Sequence, residues 1–539
     1  MVKLADGPTD DPATTGSSRQ LSRRTAFKAA ATVIAAGLAG RPGMATAAPT
    51  VPAVQDRRRA VVIGTGFGGG VTAARLGRAG IDTLVLERGI RWTVGPGTDT
   101  FPHYTHPDRR AAWLSPEPVF TGSPPTRWKP FTGILDRVRG QGIDILCGAG
   151  VGGGSLVYGG TTIQPNERLF TMSMPSGLDF DAFDREYYPR VARVLKPSGI
   201  PDDILNTPQY KGSRIWADAI RAAGMQPWRV PLPVDWDYVR KELRGELPPS
   251  FSNGDILYGA NSPGKNTVDK TYIAEAENSG HVEVAILHAV RDIARTADGA
   301  WRVFVDEITT DGDVRTRKEI TTDALFLGAG SAGTSRLLVK AHAKGLIPDL
   351  PEDVGTRWGN NGDRIFSWTT SGESPGAEQG GPASVAVADW DNPQGPITLI
   401  NGNVPFPVDI RTTSLIGFGI GTPAGRFVYD NDIDDAVLHW SQGDDAAVTA
   451  AIQARLQNIV GAGSVLLDTN TLDTTTYHPL GGAAIGSVCD TAGRVLGQKG
   501  LYVMDGALIP GYSGACNPSM TIAALAEHNM DTILKEDTI

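Results

Sequence analysis

Two polar residues near the carboxyl terminus have side chains suited to removing a proton from an alcohol. His478 follows Tyr477 in the segment Tyr-His-Pro-Leu-Gly-Gly, and Asn517 precedes Pro518 at the start of a predicted helix. A neutral imidazole accepts a proton near physiological pH, and an amide N–H stabilises an oxygen on which negative charge develops. We interpret His478 as a candidate base and Asn517 as a candidate donor. Taken separately, each would also suit a purely structural turn.

A glycine-rich turn far upstream predicts a dinucleotide site. The apolar run 60–63 leads into Gly64, Gly66 and Gly69 in GxGxxG spacing, then a helical stretch, then a second strand that ends at Glu87. The first glycine of such a βαβ unit permits the tight turn, the second lets the backbone approach a pyrophosphate, and the third packs helix on strand. The acid binds the ribose and disfavours a 2′-phosphate. This pattern predicts FAD or NAD without choosing between them.

Two further glycine clusters must be placed by the same fold. Residues 148–160 (GAGVGGGSLVYGG) follow an apolar strand, and Gly150, Gly153 and Gly154 remove side chains where a flat ring or pyrophosphate can lie against the backbone. Residues 325–338 (LFLGAGSAGTSRLL) again run strand, turn, helix. The alternatives are a flexible loop for the first cluster and a plain connection for the second.

Composition excludes several classes of protein. The chain has 539 residues, 40% of them hydrophobic and 20% charged, which suits a globular protein of two domains. Its net charge of -9 argues against a nucleic-acid partner. The three cysteines lack CxxC spacing, and no Cys, Asp or Glu with matching spacing joins His103 and His106, so we predict no metal site.

The amino terminus predicts export. Residues 22–28 (SRRTAFK) precede an apolar run and an Ala-Thr-Ala triplet at 45–47, a pattern typical of a twin-arginine signal peptide over residues 1–48. The apolar run is about half of the roughly 20 residues that cross a bilayer. Because the twin-arginine route carries folded proteins, the pattern favours a tightly held cofactor in a secreted protein.

Several segments together resemble the glucose-methanol-choline (GMC) oxidoreductases, and within that family the bacterial cholesterol oxidases that hold FAD non-covalently. The resemblance is carried by GVGGGS at 150–155, VDKTYIAEA at 268–276, GAGSAGTSRLL at 328–338, HPLGG at 478–482 and NPSMTIAALAE at 517–527. It spans nearly the whole chain after the signal segment. It implies an α/β fold in which a Rossmann-like FAD-binding domain (56–162, 265–340 and 476–539) is interleaved with an α+β substrate-binding domain (163–264 and 341–475) that contains a mixed sheet.

The resemblance also assigns roles to individual positions. His478 and Asn517 match the active-site pair, and Val290 matches the adenine contact. The positions matching the rest of the FAD site are Gly64, Gly66, Phe67, Gly68, Gly69, Glu87, Gly150, Gly153, Gly154, Ser155, Asp505, Gly506, Asn517 and Pro518.

The implied activity is oxidation of a secondary alcohol, such as the 3β-hydroxyl of a sterol, to a ketone with O2 reduced to H2O2. One departure bears on the product. The glutamate that moves a proton during double-bond isomerisation in the sterol oxidases falls on Ile400, beside Asn401, and no carboxylate occurs between Asp391 and Asp409. We therefore expect little or no coupled isomerisation. Tyr158, where relatives carry an asparagine, and Cys516, in a turn one residue longer, are the other departures.

Other interpretations remain open at this level. They are a nicotinamide dehydrogenase, a flavin-bearing binding protein without catalysis, and a dehydrogenase that passes electrons from another bulky alicyclic alcohol to a quinone. A sterol must be taken from a membrane or particle, so a transient lipid contact is expected, although no basic amphipathic helix marks a surface anchor. We expect a monomer.

Overall fold

The first predicted βαβ unit is present. In the computed structural model, which describes residues 52–120 and 127–539, the first apolar run lies in strand β1 (Ala53–Ile63), followed by helix α1 (Phe67–Arg78) and strand β2 (Thr83–Leu86). The exposed arginines of β1 give way to a fully buried Ala-Val-Val-Ile end, as expected where a strand enters a sheet covered on both faces. The predicted signal peptide lies outside the described residues.

The remaining strands are short and spread along the chain. They are β3 (Leu135–Val138), β4 (Asp144–Gly148), β5 (Trp228–Arg229), β6 (Val282–Ala285), β7 (His288–Arg295), β8 (Trp301–Ile308), β9 (Val314–Leu327), β10 (Arg364–Thr369), β11 (Val385–Asp389), β12 (Ile397–Asn401), β13 (Thr412–Gly419), β14 (Arg426–Asp430), β15 (Asp435–His439), β16 (Val465–Asp468), β17 (Thr475–Thr476) and β18 (Leu501–Val503).

The other helices frame these strands, together with shorter 3-10 and π turns. They are α2 (Glu167–Ser173), α3 (Phe180–Ala182), α4 (Tyr188–Leu195), α5 (Asp202–Leu205), α6 (Lys211–Ala222), α7 (Trp236–Leu243), α8 (Ala274–Asn278), α9 (Gly330–Ala343), α10 (Ala446–Val460) and α11 (Pro518–Glu536).

A seven-stranded sheet brings the predicted cofactor turns to one edge. Its order is β6-β2-β1-β9-β8-β7, with β18 also paired to β9. Ile63 lies opposite both Leu86 and Leu327 in parallel pairs, and Val503 lies opposite Leu327. The chain therefore leaves β1, β2, β9 and β18 at the same carboxyl edge, where open α/β sheets bind ligands.

A six-stranded sheet of order β16-β10-β13-β12-β11-β5 forms the second layer that matters for the site. The predicted fold class is confirmed, with one difference in detail. Every pair in this second sheet is antiparallel, whereas the mixture of parallel and antiparallel pairs lies in the seven-stranded sheet. Strands β11, β12 and β13 follow one another in both the chain and the sheet, whereas β5, β10 and β16 join them from more distant segments.

Apolar packing covers each sheet separately. The largest buried cluster joins β1, β2, β9 and β18 to α1, α9 and α11, and another buries the α6 and α10 side of the six-stranded sheet. The predicted domain bounds stay a prediction. Within the part of the chain that the structure describes, no helix combines the length and apolar character needed to cross a membrane.

Candidate active site

A cavity of about 1390 Å³ lies at the carboxyl edge of the seven-stranded sheet and is also lined by side chains of the six-stranded sheet. It brings most of the predicted site residues together. Those that line it are Gly64, Gly66, Phe67, Gly68, Glu87, Gly153, Gly154, Val290, His478, Asp505, Gly506, Asn517 and Pro518.

Three predicted cofactor residues, Gly69, Gly150 and Ser155, lie behind the cavity wall. A Cβ atom on Gly69 would lie 2.1 Å from the Gly64 carbonyl oxygen, so its absence lets α1 pack on the turn. Gly150 has a φ of +143° against the Trp92 ring. The Ser155 hydroxyl donates to the Gly152 carbonyl and accepts from the Val268 amide, which fixes the second glycine loop. These residues shape the wall.

At two glycines that line the cavity, no protein atom occupies the space beside the backbone. A Cβ atom on Gly66 or on Gly154 would meet no protein atom within 4 Å, although both belong to tightly packed loops. Space that the protein leaves empty beside backbone N–H groups at the start of α1 suits a pyrophosphate. The donor set therefore fits a dinucleotide cofactor.

Glu87 ends β2 with its carboxylate facing the cavity. The Thr65 hydroxyl donates to one oxygen at 2.5 Å and the Gly89 amide donates to the other at 2.9 Å. Burial raises the pKa of Glu87, an effect that these hydrogen bonds oppose. The carboxylate is thus fixed in direction and retains lone pairs for a ribose hydroxyl.

Asp505 lies at the opposite end of the edge, after β18. Its carboxylate accepts hydrogen bonds from the amides of Gly330 and Ala507 and from the Thr334 hydroxyl. Burial raises the pKa of Asp505 to about 6. These bonds join the start of α9 to the loop that carries Gly506, so Asp505 assembles this side of the cavity from two distant segments.

The candidate base, His478, and the candidate donor, Asn517, lie next to each other. The His478 Nε2 atom and the Asn517 Nδ2 atom are 3.5 Å apart, and Asn517 precedes Pro518 at the first turn of α11. The Asn517 side chain is only 6% exposed. Its Oδ1 atom has no partner among the residues that the structure describes. Buried polar atoms without a partner are uncommon in folded proteins, and this one belongs to a residue that lines the cavity.

Asp363 is a site residue that sequence reasoning missed. Its Oδ1 atom lies 2.8 Å from Nδ1 of His478, and its Oδ2 atom accepts from the Thr476 hydroxyl at 2.8 Å. The side chain is almost fully buried. Asp363 and His478 are 115 positions apart. The available signal was local: Asn-Asn-Gly-Asp before a strand is a turn with a carboxylate at its end.

Beyond His478 the cavity is apolar. Its lining there includes Ile400, Ile416 and Phe418, and the Phe418 ring centroid lies 5.4 Å from that of His478. Val404 and Ala383 extend the same surface. A substrate in this chamber must present hydrocarbon around its reacting hydroxyl, since few polar groups are present to replace its water.

Asn401, the neighbour of Ile400, does not line the cavity. Its amide oxygen accepts from the backbone amides of Ser384 and Val385, and its nitrogen donates to Ser213 and Asn403. These bonds satisfy the buried side chain within the protein. On β12, neighbouring side chains point to opposite faces, so the residue that faces the chamber is Ile400.

The other two positions that differ from the sterol oxidases, Tyr158 and Cys516, act mainly through packing. The Tyr158 ring packs edge-on against Phe67 at 5.4 Å, and its hydroxyl donates to the Asn266 carbonyl. Cys516 is fully buried in an apolar cluster, and burial raises the pKa of its thiol. Tyr158 therefore narrows the cavity beside the first glycine turn, whereas Cys516 fills space behind Asn517.

Lys265 is a buried lysine beside Tyr158, at the cavity wall. It is 3% exposed, its Nζ donates to the Leu156 carbonyl at 3.0 Å, and the ammonium lies 4.8 Å from the Tyr158 ring centroid. Burial, assisted by Lys270 and opposed by Asp269, lowers the pKa of Lys265 to about 7 from 10.5. The unfolded chain therefore binds more protons than the folded protein between these values.

Replacing Lys265 with methionine is expected to stabilise the protein below pH 7. The gain should shrink by about 3 kcal/mol between pH 6 and pH 9, because the stability of the unmodified protein increases with pH across that window. Urea unfolding at pH 6 and pH 9 measures the difference. The exposed Lys499→Met change is the matched control. A stability difference independent of pH would contradict the prediction.

Among the described residues, no group of three or more His, Cys, Asp or Glu side chains is placed to hold a metal ion. His103 and His106 stack on each other, and His103 is hydrogen-bonded to Asp255.

Comparison with known proteins supports the predicted resemblance. Residues 429–526 match the family model for GMC oxidoreductase. A cholesterol oxidase of Mycobacterium tuberculosis strain H37Rv is 26% identical, with 87% of this chain and 89% of the relative covered. A cholesterol oxidase of Acinetobacter baumannii is 24% identical, with 89% and 95% covered.

A solved structure shows the fold. The crystal structure of pyridoxine 4-oxidase from Mesorbium loti superposes with a TM-score of 0.62 at 15% identity, covering 89% of this chain and all of that one. The predicted resemblance to the GMC oxidoreductases is thus confirmed from both the sequence and the fold.

Proposed function

Because this chain resembles the GMC oxidoreductases along most of its length, with their family segment at residues 429–526, we propose that it is a secreted oxidase with non-covalent FAD. It would oxidise a secondary alcohol to a ketone while reducing O2 to H2O2. The observation that carries this proposal is the meeting of His478 and Asn517 between the glycine-lined edge and an apolar chamber.

The protein's own groups account for proton transfer and alignment. His478 Nε2 accepts the hydroxyl proton, directly or through a water, and Asn517 Nδ2 donates to the substrate oxygen as negative charge develops there. The apolar chamber holds the carbon skeleton and excludes bulk water, which strengthens both interactions. Bound FAD supplies the acceptor for the hydride from the alcohol carbon, and O2 takes up the electrons.

Two features support a sterol or a similar bulky alicyclic alcohol. They are the apolar lining of Ile400, Ile416 and Phe418 and the names of the two relatives. Peroxide release measured with a panel of sterols, cyclic alcohols and pyridoxine tests the choice. Oxidation that occurs only with a quinone acceptor would favour the dehydrogenase alternative.

The cofactor itself is tested by absorbance. Purified protein should carry a flavin spectrum, and acid precipitation should release the flavin into the supernatant as FAD. Protein that binds NAD and carries no flavin would support the nicotinamide dehydrogenase, whereas flavin that stays with the precipitate would show covalent attachment.

We expect sterol oxidation to stop at the unconjugated ketone. Ile400 occupies the position of the family glutamate, and the neighbouring Asn401 is held within the sheet, so neither can move a proton between ring carbons. Cholesterol should yield the 5-ene-3-one, with the conjugated 4-ene-3-one forming only at the rate seen for isolated 5-ene-3-one in buffer. Direct accumulation of the conjugated ketone, read by its ultraviolet absorbance, would contradict this prediction.

Transient contact with a lipid particle completes the proposal. Leu472 lines the cavity and is 70% exposed, and Val408 is 64% exposed in the loop after the cavity residue Val404. Exposed apolar side chains near a hydrophobic chamber support delivery of an apolar alcohol from a surface. Co-sedimentation with sterol-containing vesicles tests it. Export by the twin-arginine route and a monomeric state belong to the same proposal.

A further inference from the structure

The turn Asn360-Asn361-Gly362-Asp363 contacts His478 directly and also contacts Cys516, the residue immediately before Asn517. Asn361 and Gly362 have φ angles of +60° and +66°, and the Asn360 side-chain oxygen accepts from the Gly362 amide. Asn360, Asn361 and Asp363 are all buried. Asparagine and glycine are the residues that adopt this left-handed backbone most readily, so the turn is locally well determined.

One arm of the turn holds the loop ahead of Asn517. The Asn361 amide nitrogen donates to the Cys516 carbonyl at 2.8 Å, and its amide oxygen accepts from the backbone amide and the hydroxyl of Ser513. The Asn361 backbone amide donates to the Gly511 carbonyl at 3.1 Å. These bonds fix the carbonyl of the residue immediately before Asn517, and with it the direction in which the Asn517 side chain leaves the backbone.

The other arm holds His478. Asp363 faces Nδ1 of the ring, while the Thr476 hydroxyl donates to the other Asp363 oxygen and accepts from the His478 backbone amide at 3.1 Å. A carboxylate can only accept, so the proton of a neutral His478 ring lies on Nδ1. Nε2 then carries the lone pair that can accept a proton, and this lone pair faces the Asn517 amide nitrogen at 3.5 Å.

We propose that this turn is the positioning element of the site. Asp363 selects the tautomer of His478 and offsets the positive charge that the ring gains with a proton, and Asn361 holds Asn517 at the matching position. The roles of His478 and Asn517 in this inference rest on the proposed function. Asp363 and Asn361 do not line the cavity, and they act through His478 and Asn517, which do.

The tautomer gives a test that does not depend on turnover. In protein labelled with ¹⁵N-histidine, with the His478 signals assigned by their loss in His478→Gln, Nδ1 should carry the proton of the neutral ring. Asp363→Ala should shift this population toward Nε2–H. Asp82→Asn, which alters the exposed pair of His281 and Asp82, is the matched control and should leave the His478 signals unchanged.

Steady-state kinetics then distinguish the role of Asp363 from that of Asn361. Asp363→Ala and the nearly isosteric Asp363→Asn should lower kcat by about 10- to 100-fold, by analogy with hydrogen-bond partners of metal-bound histidines, with KM and flavin content nearly unchanged. Asn361→Gly keeps the left-handed backbone and removes only the side chain. It should lower kcat by about 10-fold, which corresponds to about 1.4 kcal/mol, without changing the His478 tautomer.

The positioning role would be overturned if Asp363→Ala kept the proton on Nδ1, or if Asp363→Asn kept kcat within about twofold of the unmodified enzyme, a difference below 0.5 kcal/mol. If the alanine variant does not fold, the asparagine and Asn361→Gly variants decide the question. Failure of the proposed function has a different signature: His478→Gln would then leave alcohol turnover unchanged, whatever the tautomer.

Discussion

Replacing His478 with alanine is expected to slow alcohol oxidation about 1000-fold, within the range by which a positioned acid–base group accelerates proton transfer. The alcohol hydroxyl would then lose its proton only to water, a weaker base than imidazole, in a chamber lined by Ile400 and Phe418. Flavin content should change little, whereas the melting temperature should fall, because the buried Asp363 carboxylate loses its Nδ1 partner. Anaerobic reduction of the flavin by substrate, followed by stopped flow, isolates this step from reoxidation.

The exposed His281→Ala change is the control, since it removes an imidazole far from the cavity lining. A slow reduction in His478→Ala with normal reoxidation by O2 would place the loss in proton transfer. Equal rates for His478→Ala and the unmodified protein, with every alcohol in the panel, would instead favour a flavin-bearing binding protein without catalysis.

Gly66→Ala is expected to weaken FAD binding about 100-fold or more, which corresponds to about 3 kcal/mol. Gly66 has a φ of -69°, which alanine adopts without strain, and its added Cβ would touch no protein atom. Any loss must therefore come from the space that the cofactor needs. The apoprotein should melt at the same temperature as unmodified apoprotein, and titration with FAD followed by fluorescence should give the affinity.

Two other glycine-to-alanine changes serve as controls for the effect of Gly66→Ala. Gly372→Ala also meets no protein atom within 4 Å and is exposed, so it should alter neither fold nor affinity. Gly68→Ala would place a Cβ 1.8 Å from the Met504 carbonyl oxygen, so it should destabilise the apoprotein itself. Normal FAD affinity in Gly66→Ala would show that the cofactor does not lie against this turn.

The parts of the fold that sequence predicted are those determined by neighbouring residues. The β1, α1 and β2 unit follows from apolar periodicity and three glycines within a few turns of chain. The clustering of Glu87, the first glycine turn and Asp505 then follows from parallel pairing, which places strand ends at one edge.

The parts that sequence missed depend on pairs of distant residues. Nothing near Asp363 indicates that it faces His478, and nothing near Asn361 indicates that it binds the Cys516 carbonyl, 155 positions away. Asn401 illustrates the same limit. The sequence shows that it stands beside Ile400 but not what it binds, and in the structure the pleat of β12 turns it to the opposite buried face, where Ser384 and Val385 satisfy it.

The pairing of β18 with β9, and of β9 with β1, has a consequence for biosynthesis. The edge that carries Gly64 and Asp505 requires strands from residues 53–63, 314–327 and 501–503, and α11 packs on α1 from the end of the chain. A ribosome-bound chain therefore lacks the edge until nearly all of it has emerged, and such distant pairings form slowly. We expect the cofactor to bind late, after synthesis. Chains that end before β18 should therefore purify without bound flavin and so be colourless.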